Sequence, residues 1–192
     1  MKSAVFLDRD GTINPDEKGY ISSPDDFALY PFSAPAIRIF NQLDFHVFVV
    51  TNQSGIARGY FSHEQVAAVH ARMHELLAQQ QAQITEVFIA PWHPDGTVAP
   101  WNVAHEERKP GQGMFKKALQ KYHFRISASY MIGDKESDIA FGRRAGLTTI
   151  LVRSGYGEAT WAGRQQWSVT PHYVVDDLLA AARLIEYLEN NR

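Results

Sequence analysis

Short apolar runs alternate along this chain with stretches whose apolar positions recur every three or four residues. The runs predict strands over 4–7, 46–50, 84–89, 130–132 and 149–152, with an edge strand over 173–175. The longer period predicts helices over 34–43, 114–122, 136–145 and 178–188, the third of them stopped by Gly146. On the helix over 114–122, Phe115, Ala118, Leu119 and Tyr122 share a face. Ser62 is an N-cap for a further long helix with the stripe Val66, Val69, Met73 and Leu76 or Leu77. The segment 91–113, rich in Pro, Trp and charge, reads as a loop. Strands and helices in this alternation predict an α/β fold, a doubly wound and mainly parallel sheet. No repeat or linker divides the chain, so 1–192 reads as a single domain.

Composition narrows the partners. At 192 residues, 45% hydrophobic and 21% charged, the chain has the balance of a globular protein. A net charge of -2 argues against a nucleic-acid or membrane-surface partner, which ordinarily requires a basic face. No stretch approaches the roughly 20 apolar residues of a membrane span, and the N-terminus meets charge too soon for a signal peptide. The absence of cysteine excludes disulfides and thiolate ligands. The expectation is a cytoplasmic monomer acting on a small molecule.

In doubly wound sheets the ligand crevice lies beyond the carboxyl ends of the strands. Three predicted strands end at reactive polar residues, Asp8, Thr51 and Asp134, which should gather at one rim. The first turn reads Asp8-Arg9-Asp10-Gly11-Thr12, and Gly11 lets the backbone bend. Asp8, Asp10, Asp134 and Asp138 would repel one another and any anionic substrate. A hard divalent cation resolves that conflict, and an all-oxygen donor set points to magnesium. Lys109 can add positive charge. Taken singly, each piece is more simply a turn or a helix cap; their coincidence at three strand ends, with Lys109 between them, favours chemistry.

Asp8-Arg9-Asp10-Gly11-Thr12, Thr51-Asn52, Lys109 and Gly133-Asp134 with Asp138 resemble the four motifs of haloacid dehalogenase-type phosphatases. The longer strings, from Thr51 to Gly59 and Arg108-Lys109-Pro110, are similar to those of heptose 1,7-bisphosphate phosphatases and, less closely, histidinol-phosphate phosphatases. The likeness spans about residues 3–155 and implies a Rossmann-like fold without a large cap domain, which the short gaps between motifs support. It implies that Asp8 is the nucleophile, that Asp10 is acid and then base, and that Thr51 and Lys109 stabilise the phosphoryl oxygens. Asp8, the Asp10 carbonyl and Asp134 would hold magnesium, and the substrate would be a phosphorylated sugar, a bisphosphate. Asp16, Gly19, Tyr20, Asn52, Gln53, Ser54 and Arg108 would contact it, within the stretches 16–20 and 52–54 and at the Arg-Lys-Pro string. One extra residue between Asp10 and Gly19 departs from the family pattern. Lys135 matches a position beside the metal.

Such heptose phosphatases commonly pin the loop before Arg-Lys-Pro with zinc on three cysteines and a histidine. Here those places hold Ala90, Trp92, His105 and Glu107, so no structural zinc is expected, and Pro91, Pro94, Pro100, Trp92 and Trp101 should fix the loop instead. His70 and His74 have helical spacing, but Ala71 stands where a zinc protease has glutamate, and the pair reads as a solvated face. Gly155-Tyr156-Gly157 reads as a plain loop. Trp161 and Trp167 are expected to pack the C-terminal segment onto the sheet. The competing classes are a phosphatase for another small ester, histidinol phosphate first, a phosphoryl-accepting receiver domain, and a non-catalytic relative. Against a receiver stands the second aspartate, Asp10, and against a binding protein stands the complete acidic and basic set.

Overall fold

Each short apolar run becomes a strand in the computed structural model, which describes residues 1–16 and 19–191. The strands are β1 (Ala4–Leu7), β2 (His46–Asn52), β3 (Glu86–Ala90), β4 (Tyr130–Gly133), β5 (Thr148–Val152) and β6 (Tyr173–Val175). They form one sheet in the order β3-β2-β1-β4-β5-β6, with every pairing parallel. The helices are α1 (Ser33–Gln42), α2 (His63–Gln79), α3 (Gly113–Lys121), α4 (Glu136–Arg144), α5 (Gly157–Ala162) and α6 (Leu178–Asn190). Ser62 caps α2 as expected, its hydroxyl accepting from the Gln65 amide while the Gln65 side chain accepts from the Ser62 amide.

Side chains alternate across a strand, so neighbouring positions feed opposite faces of the sheet. Val5, Leu7, Val47, Val49, Ile132 and Ile150 pack with α1, α2 and α6. Ala4, Phe6, Phe48, Val50 and Met131 pack with α3 and α4. Phe6 centres the second layer, with Phe48, Phe115 and Phe124 at centroid distances of 5.1, 5.6 and 5.7 Å. Two expectations need correction. Leu119 is exposed, and Met114 joins Phe115 and Ala118 on the buried face of α3, because the helical period centres that face on these three and leaves Leu119 at its margin. Trp161 and Trp167 pack edge to face on each other at 6.5 Å, with Arg164 over Trp161, and belong to neither core.

The loop from 91 to 112 is organised around Trp92. Its ring stacks on His105 at 4.0 Å and meets Trp101 edge-on at 4.7 Å, and its indole N–H donates to Glu107 Oε2 at 3.1 Å. Positions 92, 105 and 107 therefore come together through an aromatic stack and a charge-assisted hydrogen bond. Among the described residues no helix is long and apolar enough to cross a membrane.

Candidate active site

The chain leaves β1 towards β2 and β3, then crosses back to β4 beside β1. That reversal opens a crevice at the carboxyl ends of β1 and β4, where the next residues are Asp8 and Asp134. The Asp8 amide still bonds the Ile132 carbonyl at 2.9 Å, so its side chain starts from a fixed base. Carboxylate oxygens of Asp8, Asp134 and Asp138 lie within 4.8 Å of one another, all buried. Lys109 Nζ donates to Asp8 Oδ1 and to the Val50 carbonyl, each at 2.7 Å, and pairs with Asp138 Oδ1 at 2.7 Å. Burial alone would lower the Lys109 pKa, but Asp138 and Asp8 outweigh it and hold the ammonium charged.

Asp134 accepts the Tyr156 amide on Oδ2 at 2.8 Å, while its Oδ1 is buried with no hydrogen-bond partner among the described residues. Burial, then the Asp8 charge, pushes its pKa up to about 8. Asp138 is raised as well, by burial against the pull of Lys109, and its Oδ2 accepts the Lys135 amide at 3.0 Å at the start of α4. A crowded, oxygen-only set with an unpaired inward oxygen fits a hard divalent cation such as magnesium.

The turn after β1 wraps on itself: the amides of Thr12, Ile13 and Asn14 all bond the Arg9 carbonyl, and the Gly11 amide bonds that of Asn14. Gly11 has φ +92°, and a Cβ there would lie 2.2 Å from Asp134 Oδ2, so both the backbone and the neighbour demand glycine. Asp10 is not one of the three clustered carboxylates. Asp10 accepts Arg9 Nε–H and Nη2–H at 2.9 Å each, Asn14 Nδ2–H at 3.0 Å and Gln53 Nε2–H at 2.9 Å. Burial raises its pKa, but Arg9, Asn14 and Gln53 together outweigh that and hold it below the usual carboxylate range.

Thr51 is buried at the end of β2, its Oγ1 accepting the second Gln53 amide hydrogen at 2.8 Å. Asn52 is tied to the Lys109 backbone, and the Ser54 hydroxyl lies 3.3 Å from that of Tyr20. The side chains of Asn52 and Gln53, read from sequence as substrate contacts, thus brace Lys109, Thr51 and Asp10. Asp16 takes Lys135 Nζ at 3.3 Å, and Lys135 also lies over the Tyr156 ring at 4.9 Å. Gly19 has φ +79° and open space around it. Residues 17 and 18, inside the stretch expected to touch substrate, lie outside the described residues. Arg108 is half-buried at the rim, Nη1–H donating to the Trp92 carbonyl at 3.4 Å.

The family model for HAD-hydrolase-like proteins matches residues 106–181. The chain is 39% identical over 188 residues to the D-glycero-D-manno-heptose-1,7-bisphosphate 7-phosphatase of Chlorobaculum tepidum, covering 94% of each. It is 39% identical over 191 residues to the enzyme of the same name from Thermosynechococcus vestitus, covering 96% of this chain and 95% of that one. The crystal structure of the D,D-heptose 1,7-bisphosphate phosphatase from B. bronchiseptica, complexed with magnesium and phosphate, superposes with a TM-score of 0.84 at 33% identity over 100% of both chains. The chain belongs to the haloacid dehalogenase-like phosphatases.

As a member of that family it is a phosphoric monoester hydrolase. Two features of this phosphatase were not read from the sequence, and a third, Lys135, was read only from the family resemblance. Gly155 and Tyr156, taken for a plain loop, close over Asp134, and Ser154 Oγ donates to the Gly11 carbonyl at 2.7 Å. Lys135 is drawn in among the acids: burial opposes its charge, but Asp8, Asp134 and Asp16 raise its pKa. His70 is not a solvated residue; its Nε2 lies 3.0 Å from Arg9 Nη1. The contacts of the loop and of Lys135 have no local signal, since they depend on which strand ends meet. His70 was visible only as a histidine one position beyond the apolar Val69.

Proposed function

We propose that this phosphatase removes the C7 phosphate of a D-glycero-D-manno-heptose 1,7-bisphosphate through an aspartyl-phosphate on Asp8. The observation that carries the chemistry is the Asp8 carboxylate, on the residue that follows β1, its amide bonded to the Ile132 carbonyl and its Oδ1 paired at 2.7 Å with Lys109. The relatives matched over nearly the whole chain carry that substrate in their names, which supports the choice of ester.

In the first half-reaction an Asp8 oxygen attacks phosphorus, the ester bond to the sugar oxygen breaks, and that oxygen takes a proton from Asp10, which must gain it on substrate binding because Arg9, Asn14 and Gln53 hold it as a carboxylate in the free site. In the second, Asp10 as carboxylate takes a proton from water while the water oxygen bonds phosphorus, freeing inorganic phosphate and the Asp8 carboxylate. Thr51 and Lys109 would donate to the phosphoryl oxygens. Asp8, Asp134 and the Asp10 carbonyl would hold magnesium, which when bound supplies positive charge against the transferring phosphoryl group. Asp16, Gly19, Tyr20, Ser54 and Arg108 form the rim that receives the sugar, and the loop from 91 to 112 keeps its shape through the Trp92 stack, without zinc.

A phosphate-release screen tests the reading: heptose 1,7-bisphosphate should be the preferred ester over histidinol phosphate and simple hexose phosphates. Release should stop in chelator and resume with added magnesium. Preference for histidinol phosphate, or full activity in chelator after dialysis, would contradict it.

A further inference from the structure

The most deeply buried charge outside the carboxylate cluster is Arg9, the largest of the fully buried side chains, at 1% exposure. A guanidinium out of water needs an acceptor for each edge that protein covers. One edge, Nε–H and Nη2–H, is met by Asp10 through Oδ1 and Oδ2 at 2.9 Å each. Nη1 faces His70 Nε2 at 3.0 Å. Arg9 can only donate, so Nε2 carries the lone pair and the imidazole is the neutral tautomer with its proton on Nδ1. Burial first, then the Arg9 charge, brings the His70 pKa down to about 3, in keeping with a neutral acceptor.

His70 stands on a rigid element. Its helix, α2, is seated by Val66, Val69, Met73 and Leu77, the last three packed in the same core as Leu7, which precedes Asp8. The line α2, His70, Arg9, Asp10 therefore joins the far side of that core to the group that moves the protons. An Asp10 carboxylate gripped by the Arg9 fork cannot turn unless Arg9 turns with it, and His70 is what Nη1 of Arg9 is held against.

We propose that His70 is a positioning residue for hydrolysis: it accepts a hydrogen bond from Arg9 and, through Arg9, fixes the Asp10 side chain where it exchanges a proton with the leaving oxygen and with water. The inference rests on the role given to Asp10 above. Neither His70 nor Arg9 gains or loses a proton; both only orient.

The test compares His70→Gln with His70→Met in the full chain, on an aryl phosphate and on the bisphosphate. The two replacements are close in volume, but only the glutamine offers an oxygen to Arg9. The methionine variant should lose about tenfold or more in kcat with KM shifted by less than about threefold, because general acid–base catalysis contributes on the order of a hundredfold or more. The glutamine variant should recover to within about threefold of wild type. His74→Ala, on the exposed face of the same helix, should match wild type. If the methionine variant does not fold, His70→Asn, whose amide stops short of Arg9, takes its place. Equal losses in the glutamine and methionine (or asparagine) variants, a loss confined to KM, or wild-type kcat in both would overturn the proposal. A wild-type protein that released phosphate from neither ester would instead sink the reading of the site, before His70 was tested.

Discussion

The Asn52 side chain and the Lys109 backbone hold each other by two hydrogen bonds, Nδ2–H to the Lys109 carbonyl at 3.2 Å and the Lys109 amide to Oδ1 at 2.9 Å. The end of β2 thereby sets the height at which Lys109 enters the site. Asn52→Ala leaves two backbone groups without their partner, each worth about 1–3 kcal/mol where water cannot replace it. Lys109 would then be free to shift from Asp8, and kcat/KM should fall about tenfold or more. Unchanged kcat/KM in a well-folded variant would show that the loop holds Lys109 unaided.

Gly155 offers a second test of how the site is built. It has φ +58°, and a Cβ there would lie 2.4 Å from the Gly11 Cα and 2.6 Å from Asp134 Oδ2. Gly155→Ala should destabilise the fold by roughly 1–3 kcal/mol through overpacking, and should also raise the magnesium concentration needed for half-maximal activity. Urea unfolding and a magnesium titration measure the two effects. A variant equal to wild type in both would mean that the loop after β5 yields easily.

Arg108 has no carboxylate within ion-pair distance among the described residues, and burial lowers its pKa from the ordinary arginine value while the Arg58 charge nearby acts the same way. A half-buried guanidinium in that setting is suited to an anionic group remote from the reacting phosphate. Arg108→Ala should raise KM for the bisphosphate about tenfold or more while leaving KM for an aryl phosphate within about twofold. Equal changes on the two esters would assign Arg108 to the reacting phosphoryl group or to the loop.

Stability should carry the signature of His70. The unfolded chain protonates this histidine near 6.5, the folded chain only near 3. Between those values the unfolded state binds a proton that the folded state lacks, so this contribution is complete above 6.5 and is lost as pH falls towards 3. The slope from one such group is at most about 1.4 kcal/mol per pH unit. Wild type should therefore lose stability faster than His70→Gln as pH is lowered through this window, measured by chemical unfolding. Parallel curves would place a titrating, solvated His70 back on the surface.

Much of this was legible in the sequence because β1, β2 and β4 are buried on both faces and their apolar runs give way to Asp8, Thr51 and Asp134. Asp8, Thr51 and Asp134 could be placed at one rim from that pattern alone, and the stripe of α2 and its Ser62 cap are local signals that tertiary structure left intact. What was not legible depends on which elements meet. Nothing in the sequence pairs Arg9 with His70, which α2 brings to Arg9 Nη1. Tyr156 acts through its backbone amide, which no side-chain pattern reveals. Asn52 and Gln53 read as groups for a ligand, and the sequence does not show that their amides also bond Lys109, Thr51 and Asp10. Leu119 departs for a plainer reason: it lies at the margin of the face shared by Met114, Phe115 and Ala118, where the period alone does not separate buried from exposed.

The claim on which the rest depends is that Asp8 carries the phosphoryl group. Asp10→Asn should slow hydrolysis of the acyl phosphate, while an aryl phosphate still reacts in the first step because its leaving group needs little protonation. Mixing that variant with magnesium and aryl phosphate, quenching in acid and mapping peptides by mass spectrometry reads the intermediate directly. The account predicts one phosphoryl group on the peptide containing Asp8, located to that residue, and none when Asp8→Asn is added. Phosphoryl on another residue, or aryl phosphate turnover that persists with Asp8→Asn, would contradict it.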